Sequence, residues 1–162
     1  MKKLSLLVIF CLFALTACSP VHDGINAEGN AMKKAEALLF DVNLYSYLER
    51  PIFDVYLNGK FIGDAGGQPH RGAGGLMTGV EVPLGPQTVT WRLDGPEGMP
   101  GIGETVKAIN QPILKMPADN MTYLGVHIYP DNTVELIPEP GWPEKSPRGL
   151  EINRQWELQH AE

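Results

Sequence analysis

The stretch IFDVYLNGKFIG, residues 52–63, constrains the fold of this chain more than any other. Phe53, Val55 and Leu57 alternate with Asp54 and Tyr56, then Asn58 and Gly59 follow, and Phe61 and Ile62 resume the apolar pattern. Alternation at period two puts apolar side chains on one face of a strand, and Asn-Gly readily takes the two positive φ values of a tight hairpin turn. The segment therefore predicts a β-hairpin. GVEVPLGPQTVTWRLDG repeats the device, with Val80, Val82 and Leu84 before a Gly85-Pro86 turn. After that turn Val89, Trp91 and Leu93 are expected to face the core, with Thr90 and Arg92 outward. In MTYLGVHIYPDNTVELIP, Leu124, Val126 and Ile128 stand opposite Val134 and Leu136 across Pro130-Asp131-Asn132. A further strand is expected within residues 105–116, interrupted at Pro112.

The chain's 18 glycines and 14 prolines cut it into short runs, which aromatic and β-branched residues fill. The expectation is a mostly β chain, folded as a single antiparallel β-sandwich of about seven strands. Flanking it are a short helix over AMKKAEALLF, residues 31–40, and a C-terminal arm or helix over residues 138–162. That last segment opens with PEPGWPEKSP and ends in EINRQWELQHAE, whose Ile152, Trp156 and Leu158 are available for docking.

The N-terminus reads differently. Lys2 and Lys3 precede an apolar run from Leu4 to Leu15, and the small residues Thr16 and Ala17 lead to Cys18. This is the pattern of a secretory signal peptide, too short for a permanent membrane span. The ending Leu15-Thr16-Ala17-Cys18 resembles the bacterial lipobox, which implies cleavage before Cys18 and acylation of that residue. The other cysteine, Cys11, lies in the removed segment, so no internal disulfide remains. Several acyl chains, at roughly 0.8 kcal/mol per buried methylene, make a durable anchor. In lipoproteins of this kind, Ser19 after the cysteine implies transport to the outer membrane, with the protein facing the periplasm. The expected organisation is a signal peptide over residues 1–17, a lipid-anchored linker over 18–30, a β-domain over 31–137 and the C-terminal arm.

Loss of the two lysines takes the formal charge from −6 to −8. An acidic surface argues against nucleic acid and against binding to anionic lipid headgroups, since both need basic patches. Membrane association is then expected through the lipid anchor alone.

Residues 63–79 hold seven glycines. The run lacks the Gly-Lys-Ser/Thr ending of a phosphate-binding loop, and a strand rather than a helix follows it. It reads as a long hairpin connection, or as a loop that enters a partner's cleft with His70 and Arg71 at its tip. His127 shares a strand face with Tyr123 and Tyr129, and across the hairpin with Glu135. That face reads as solvated sheet or as a partner-binding patch, with an acid–base cluster as the alternative. Trp142 lies between prolines, as an exposed aromatic suited to an interface or as a lid on the open end of the sandwich. Ser46 and Ser146 lie in no nucleophile-elbow context, so no enzyme is expected. His22, His70, His127 and His160 are scattered without ligand spacing, so neither a metal site nor a cofactor is expected.

The order of lipobox, FDVYLNGKFIG, glycine-rich loop, VEVPLGPQTVTWRLDGP and YLGVHIYPDNTVELIP resembles a group of small bacterial lipoproteins found beside type VI secretion effectors, especially lipases. The likeness covers most of residues 52–138. It implies an immunity protein that binds and inhibits a cognate secreted hydrolase toxin, of phospholipase type, in the periplasm. The partner-binding residues would then come from His70, Arg71, Tyr123, His127, Tyr129 and Trp142. The competing readings are a structural or assembly lipoprotein of an envelope complex, and an envelope enzyme or binder of sugars or peptidoglycan that uses the Tyr/His face.

Overall fold

A computed structural model describes residues 36–68 and 74–161 of the chain. Residues 34–162 form a compact unit of their own. Among the described residues there are ten strands in three sheets and one helix, not seven strands in a sandwich.

The first four-stranded sheet has the order β10-β9-β1-β4, made of Val134–Glu139, Tyr123–Ile128, Ala37–Ser46 and Leu76–Pro83. The second has the order β3-β2-β6-β7, made of Lys60–Ala65, Ile52–Leu57, Val89–Leu93 and Thr105–Lys107. The short strands β5 (Gly85–Pro86) and β8 (Ile113–Leu114) form a two-stranded sheet. All pairings are antiparallel except that of β1 with β9, which is parallel. One apolar cluster joins the two larger sheets, with Val42 and Leu44 from β1, Val55 from β2, Trp91 from β6 and Val126 from β9 all fully buried.

Two of the three expected hairpins are present. Asn58 (φ 51°) and Gly59 (φ 79°) take the two left-handed conformations of a type I′ turn, joining β2 to β3. β9 and β10 pair from Val134↔Ile128 outward. Their turn has Pro130 at its second position, with Asn132 N donating to Tyr129 O (2.9 Å) and Asn132 left-handed at φ 59°.

The second expected hairpin is absent. β4 pairs with β1 and β6 with β2, so residues 84–88 carry the chain from one sheet to the other. Pro83 and Pro86 have no N–H to continue a ladder, and the segment instead wraps the side chain of buried Gln87. Its Nε2 donates to Pro83 O (2.6 Å) and Gly85 O (2.8 Å), while its Oε1 accepts from Asn58 Nδ2. The glycine-rich connection likewise links strands of different sheets, β3 and β4, rather than closing a hairpin.

The expected N-terminal helix is also corrected. Residues 31–35 lie outside the described residues, and Ala37 to Phe40 begin the longest strand of the protein. Phe40, Val42 and Leu44 point into the core and the chain is bonded on both sides, to β4 and β9. Two ladders and an inward apolar row outweigh the helix preference of Ala, Glu and Leu. In β2 the inward row is Ile52, Val55 and Leu57, not Phe53. A bulge with Asp54 left-handed (φ 50°) turns Phe53 outward, where the Arg92 guanidinium lies 4.6 Å from its ring centre. Asp54 N donates to Asp64 Oδ1 (2.8 Å), which holds that bulge in place.

The helix α1 spans Pro147–Gln159 and so begins before the EINRQWELQHAE segment. Ser146 caps it, accepting from Gly149 N at 3.0 Å, and Pro147 takes the first position, where no N–H is required. Gly149 is its buried residue, Ile152 packs partly buried against the sheet and Trp156 is also partly buried, while Leu158 is exposed.

Candidate functional site

The outer face of the first sheet carries the side chains that the sequence singles out. The parallel register sets Tyr45 of β1 beside His127 of β9, and Asn43 beside Gly125. Tyr47 and Tyr129 continue the two rows past the strand ends. The rings stack with nearly parallel planes: Tyr45 and His127 centres are 4.9 Å apart at 6°, Tyr47 and His127 6.1 Å at 9°, and Tyr47 and Tyr129 5.3 Å at 9°.

This stack is not solvated. His127 and Tyr129 are fully buried, and Tyr45 and Tyr47 nearly so. The cover is the chain's own C-terminal segment, attached through the aromatic hydroxyls. Tyr45 Oη donates to Pro143 O. Tyr47 Oη accepts from Ser146 N (3.3 Å) and lies 3.1 Å from His127 Nδ1. Ser146 Oγ accepts from Gly149 N and stands 2.7 Å from Tyr129 Oη, which donates to Glu135. Since Tyr129 gives its proton to the carboxylate, Ser146 donates to Tyr129, and each hydroxyl in that chain both gives and receives one bond. Gly149 presses on the Tyr47 ring so closely that a Cβ there would overlap it.

Arg148 closes the edge of the cover. Its guanidinium sits 3.9 Å from the Tyr129 ring centre and donates to Thr133 Oγ1 (2.8 Å) and to Asp131 Oδ2 (2.8 Å). The first described residues either side of 69–73 are also tied to the sheet region, Gln68 N to Leu48 O (3.1 Å) and Gly74 N to Leu44 O (2.8 Å).

Burial controls protonation here. Removal from water pushes His127 down to about 4, so the imidazole is neutral at neutral pH. Burial, and then the hydrogen bond to Glu135, push Tyr129 up, while burial raises Tyr45 and Tyr47. The hydrogen bond with Tyr47 engages Nδ1 of His127 and leaves Nε2 as the second ring nitrogen. That nitrogen and Asn43 Oδ1 are buried with no partner among the described residues. The ring reaches back over Gly125, where a Cβ would lie 2.6 Å from Nε2, so this position takes glycine.

The sequence-derived candidates thus separate. His127 and Tyr129 are interior groups that hold the C-terminal segment, and the same segment covers them. Tyr123, at the other end of β9, is half-buried, with its ring 6.4 Å from that of Trp142. Trp142 itself is 58% exposed, and the next residue, Pro143, is buried with its carbonyl bonded to Tyr45. His70, Arg71 and Cys18 lie outside the described residues. Tyr45, Tyr47 and Ser146 are not among the sequence-derived candidates. The signal for the first two was the alternation of NLYSY, hidden by the helix reading of the preceding residues, and the signal for Ser146 was a Ser-Pro pair at a helix start.

Among the described residues, no group of three or more His, Cys, Asp or Glu side chains is placed to hold a metal. Comparisons with protein-family models, curated proteins and solved structures find no match.

Proposed function

We propose that this chain is a lipid-anchored envelope protein whose β-domain binds and inhibits a secreted hydrolase toxin, a phospholipase by the resemblance described above. In this reading Cys18 is the acylated anchor, the protein sits at the outer membrane facing the periplasm, and the domain works by occluding the toxin's active site. The shared core of the two four-stranded sheets supports reading them as facing layers of a rigid binding scaffold.

The observation that carries the binding reading is Trp142. A large aromatic side chain is held in water while the backbone one residue later is buried and bonded to Tyr45. Tyr123 supports it from the side. An aromatic group whose flank is already ordered loses little conformational entropy on binding, which is how interface hot spots concentrate affinity. The acidic charge favours a basic partner surface and fast encounter with it.

The test is affinity capture from the periplasm of a producing strain, using the chain from residue 18 onward with a C-terminal tag, followed by an activity assay on the recovered protein. One secreted hydrolase, inhibited on binding, is the expected product. Trp142→Ala should weaken that complex by about 2 kcal/mol or more, roughly thirtyfold. Capture of envelope-machine subunits with no inhibited hydrolase would replace this reading with an assembly lipoprotein.

A further inference from the structure

The place where the chain enters its folded unit carries aliphatic side chains in water. Glu36 is the first described residue of β1's approach, and its carbonyl accepts from Leu84 N at 2.8 Å. Leu39, three residues later, is 69% exposed. Met116, 55% exposed, lines with Leu38, Leu39, Pro117 and Met121 a hollow of about 230 Å³. Ile113, 63% exposed, stands three residues before Met116 on β8, whose partner β5 follows Leu84 directly.

The backbone beneath Leu39 and Ile113 is bonded. Leu39 lies within the β1–β4 ladder, Leu114 pairs with Gly85, and Asp41 N donates to Thr122 O at 2.9 Å. Ladder-bonded backbone under Leu39 and Ile113 suits shallow contact at the headgroup boundary, where Met116, on the irregular segment after β8, adds its side chain while its main chain stays in reach of water. The composition is also unlike that of Trp142 and Tyr123, since it offers no aromatic anchor, and its polar groups, Asp119, Asn120 and Thr122, line the hollow beside Met116 and Met121.

We infer that this surface, centred on Leu39, Ile113 and Met116, contacts the lipid bilayer. The inference rests on the reading of Cys18 as the acylated anchor. Seventeen residues separate Cys18 from Glu36, so the tether joins the domain at the Glu36 end and holds that end within at most about 60 Å of the membrane. A tethered face meets lipid at high effective concentration, and weak insertion then suffices to orient the domain. The matching surface is zwitterionic lipid: Lys115 is the basic side chain between Ile113 and Met116, while Glu36 and Asp119 lie in the flanking segments.

The experiment uses the mature chain with Cys18→Ser and a hexahistidine tag in place of residues 1–17, captured on phosphatidylcholine vesicles that carry a nickel-chelating lipid. This leaves the compact unit of residues 34–162 complete and makes the result independent of acylation. An environment-sensitive fluorophore is attached at Met116→Cys, or at Glu97→Cys on an exposed turn after β6. The expected result is a blue shift and quenching by a spin-labelled acyl chain at residue 116 only, lost when Leu39→Asp is added. Equal, water-like emission at both positions overturns the inference, as does a shift at residue 116 that survives Leu39→Asp. Acylation is read separately, from the mass of the native protein extracted from membranes. A native mass without acyl groups sinks the anchor reading, while the fluorescence on vesicles still decides whether this surface enters lipid.

Discussion

The inner and outer faces of the first sheet solve burial in opposite ways. The inner face presents Phe40, Val42 and Leu44 of β1 with Leu124, Val126 and Ile128 of β9 to a shared apolar core. Its stability comes from area removed from water and depends little on orientation. The outer face presents Asn43, Tyr45, Gly125 and His127, buried just as deeply but under a segment held through hydroxyls and carbonyls. There each ring must keep one orientation and one protonation state, and two polar atoms, Asn43 Oδ1 and His127 Nε2, go without a partner among the described residues, against one, Trp91 Nε1, in the apolar core. A polar-aromatic seam of this kind specifies where the C-terminal segment lies, and it adds less stability than an aliphatic layer of the same area because unpaired buried groups cost about 1–3 kcal/mol each.

The comparison breaks most readily at Trp91, the largest fully buried side chain of the inner core. Trp91→Ala should cost about 3–5 kcal/mol in chemical unfolding of the whole unit. A loss below about 1 kcal/mol would mean that the aliphatic layer does not carry the stability assigned to it.

The outer seam should instead respond to acid. Unfolded, His127 takes up a proton near pH 6.5, whereas burial delays this to about pH 4. The unfolded state binds more protons across that window, so stability falls as pH falls from 6.5 towards 4. The loss is about 3 kcal/mol. His127→Phe keeps an aromatic ring in the stack and should flatten this dependence between pH 7 and 4.5. Parallel curves for the native chain and the variant would show that another group carries the acid response.

Gly149→Ala sharpens the contrast between the two faces. The new methyl overlaps Tyr47, so despite alanine's better helix propensity the variant should lose about 1–3 kcal/mol. Hydrogen exchange should rise at Ser146 and Gly149, with the amides of β2 and β6 unchanged. Uniform loss of protection in both regions would show that the seam and the core unfold as one. The smallest effect is expected at Arg148→Ala, whose ion pair with Asp131 is solvent-exposed on both sides. It should cost up to about 1 kcal/mol, and the difference from the native chain should shrink in 0.5 M salt, which screens the pair.

The site was partly legible in the sequence. Alternation put His127, Tyr123 and Tyr129 on one face and Glu135 across from them, and the β9–β10 register has Glu135 opposite His127. What alternation could not supply was the neighbour on the other side. Tyr45 and Tyr47 reach His127 through a parallel pairing across 80 residues of chain, a relation with no local signature. The same limit explains the second hairpin: Gly85-Pro86 is turn chemistry, and the chain does turn there, but towards another sheet.

Local steric and hydrogen-bonding preferences were enough for the sequence to determine the turns at Asn58-Gly59 and Pro130-Asp131-Asn132, the strands beside them and the inward placing of Trp91. These depend on φ values and on side-chain period, which a few adjacent residues set. Tertiary structure alone decided that Ala37–Ser46 is a central strand, that β4 and β6 part company, and that an apparently surface-facing histidine is sealed under the C-terminal segment. Each of those outcomes turns on which partner a strand or face finds across many residues. That choice is settled by the total area and hydrogen bonding of the assembled fold, and no short window of sequence contains it.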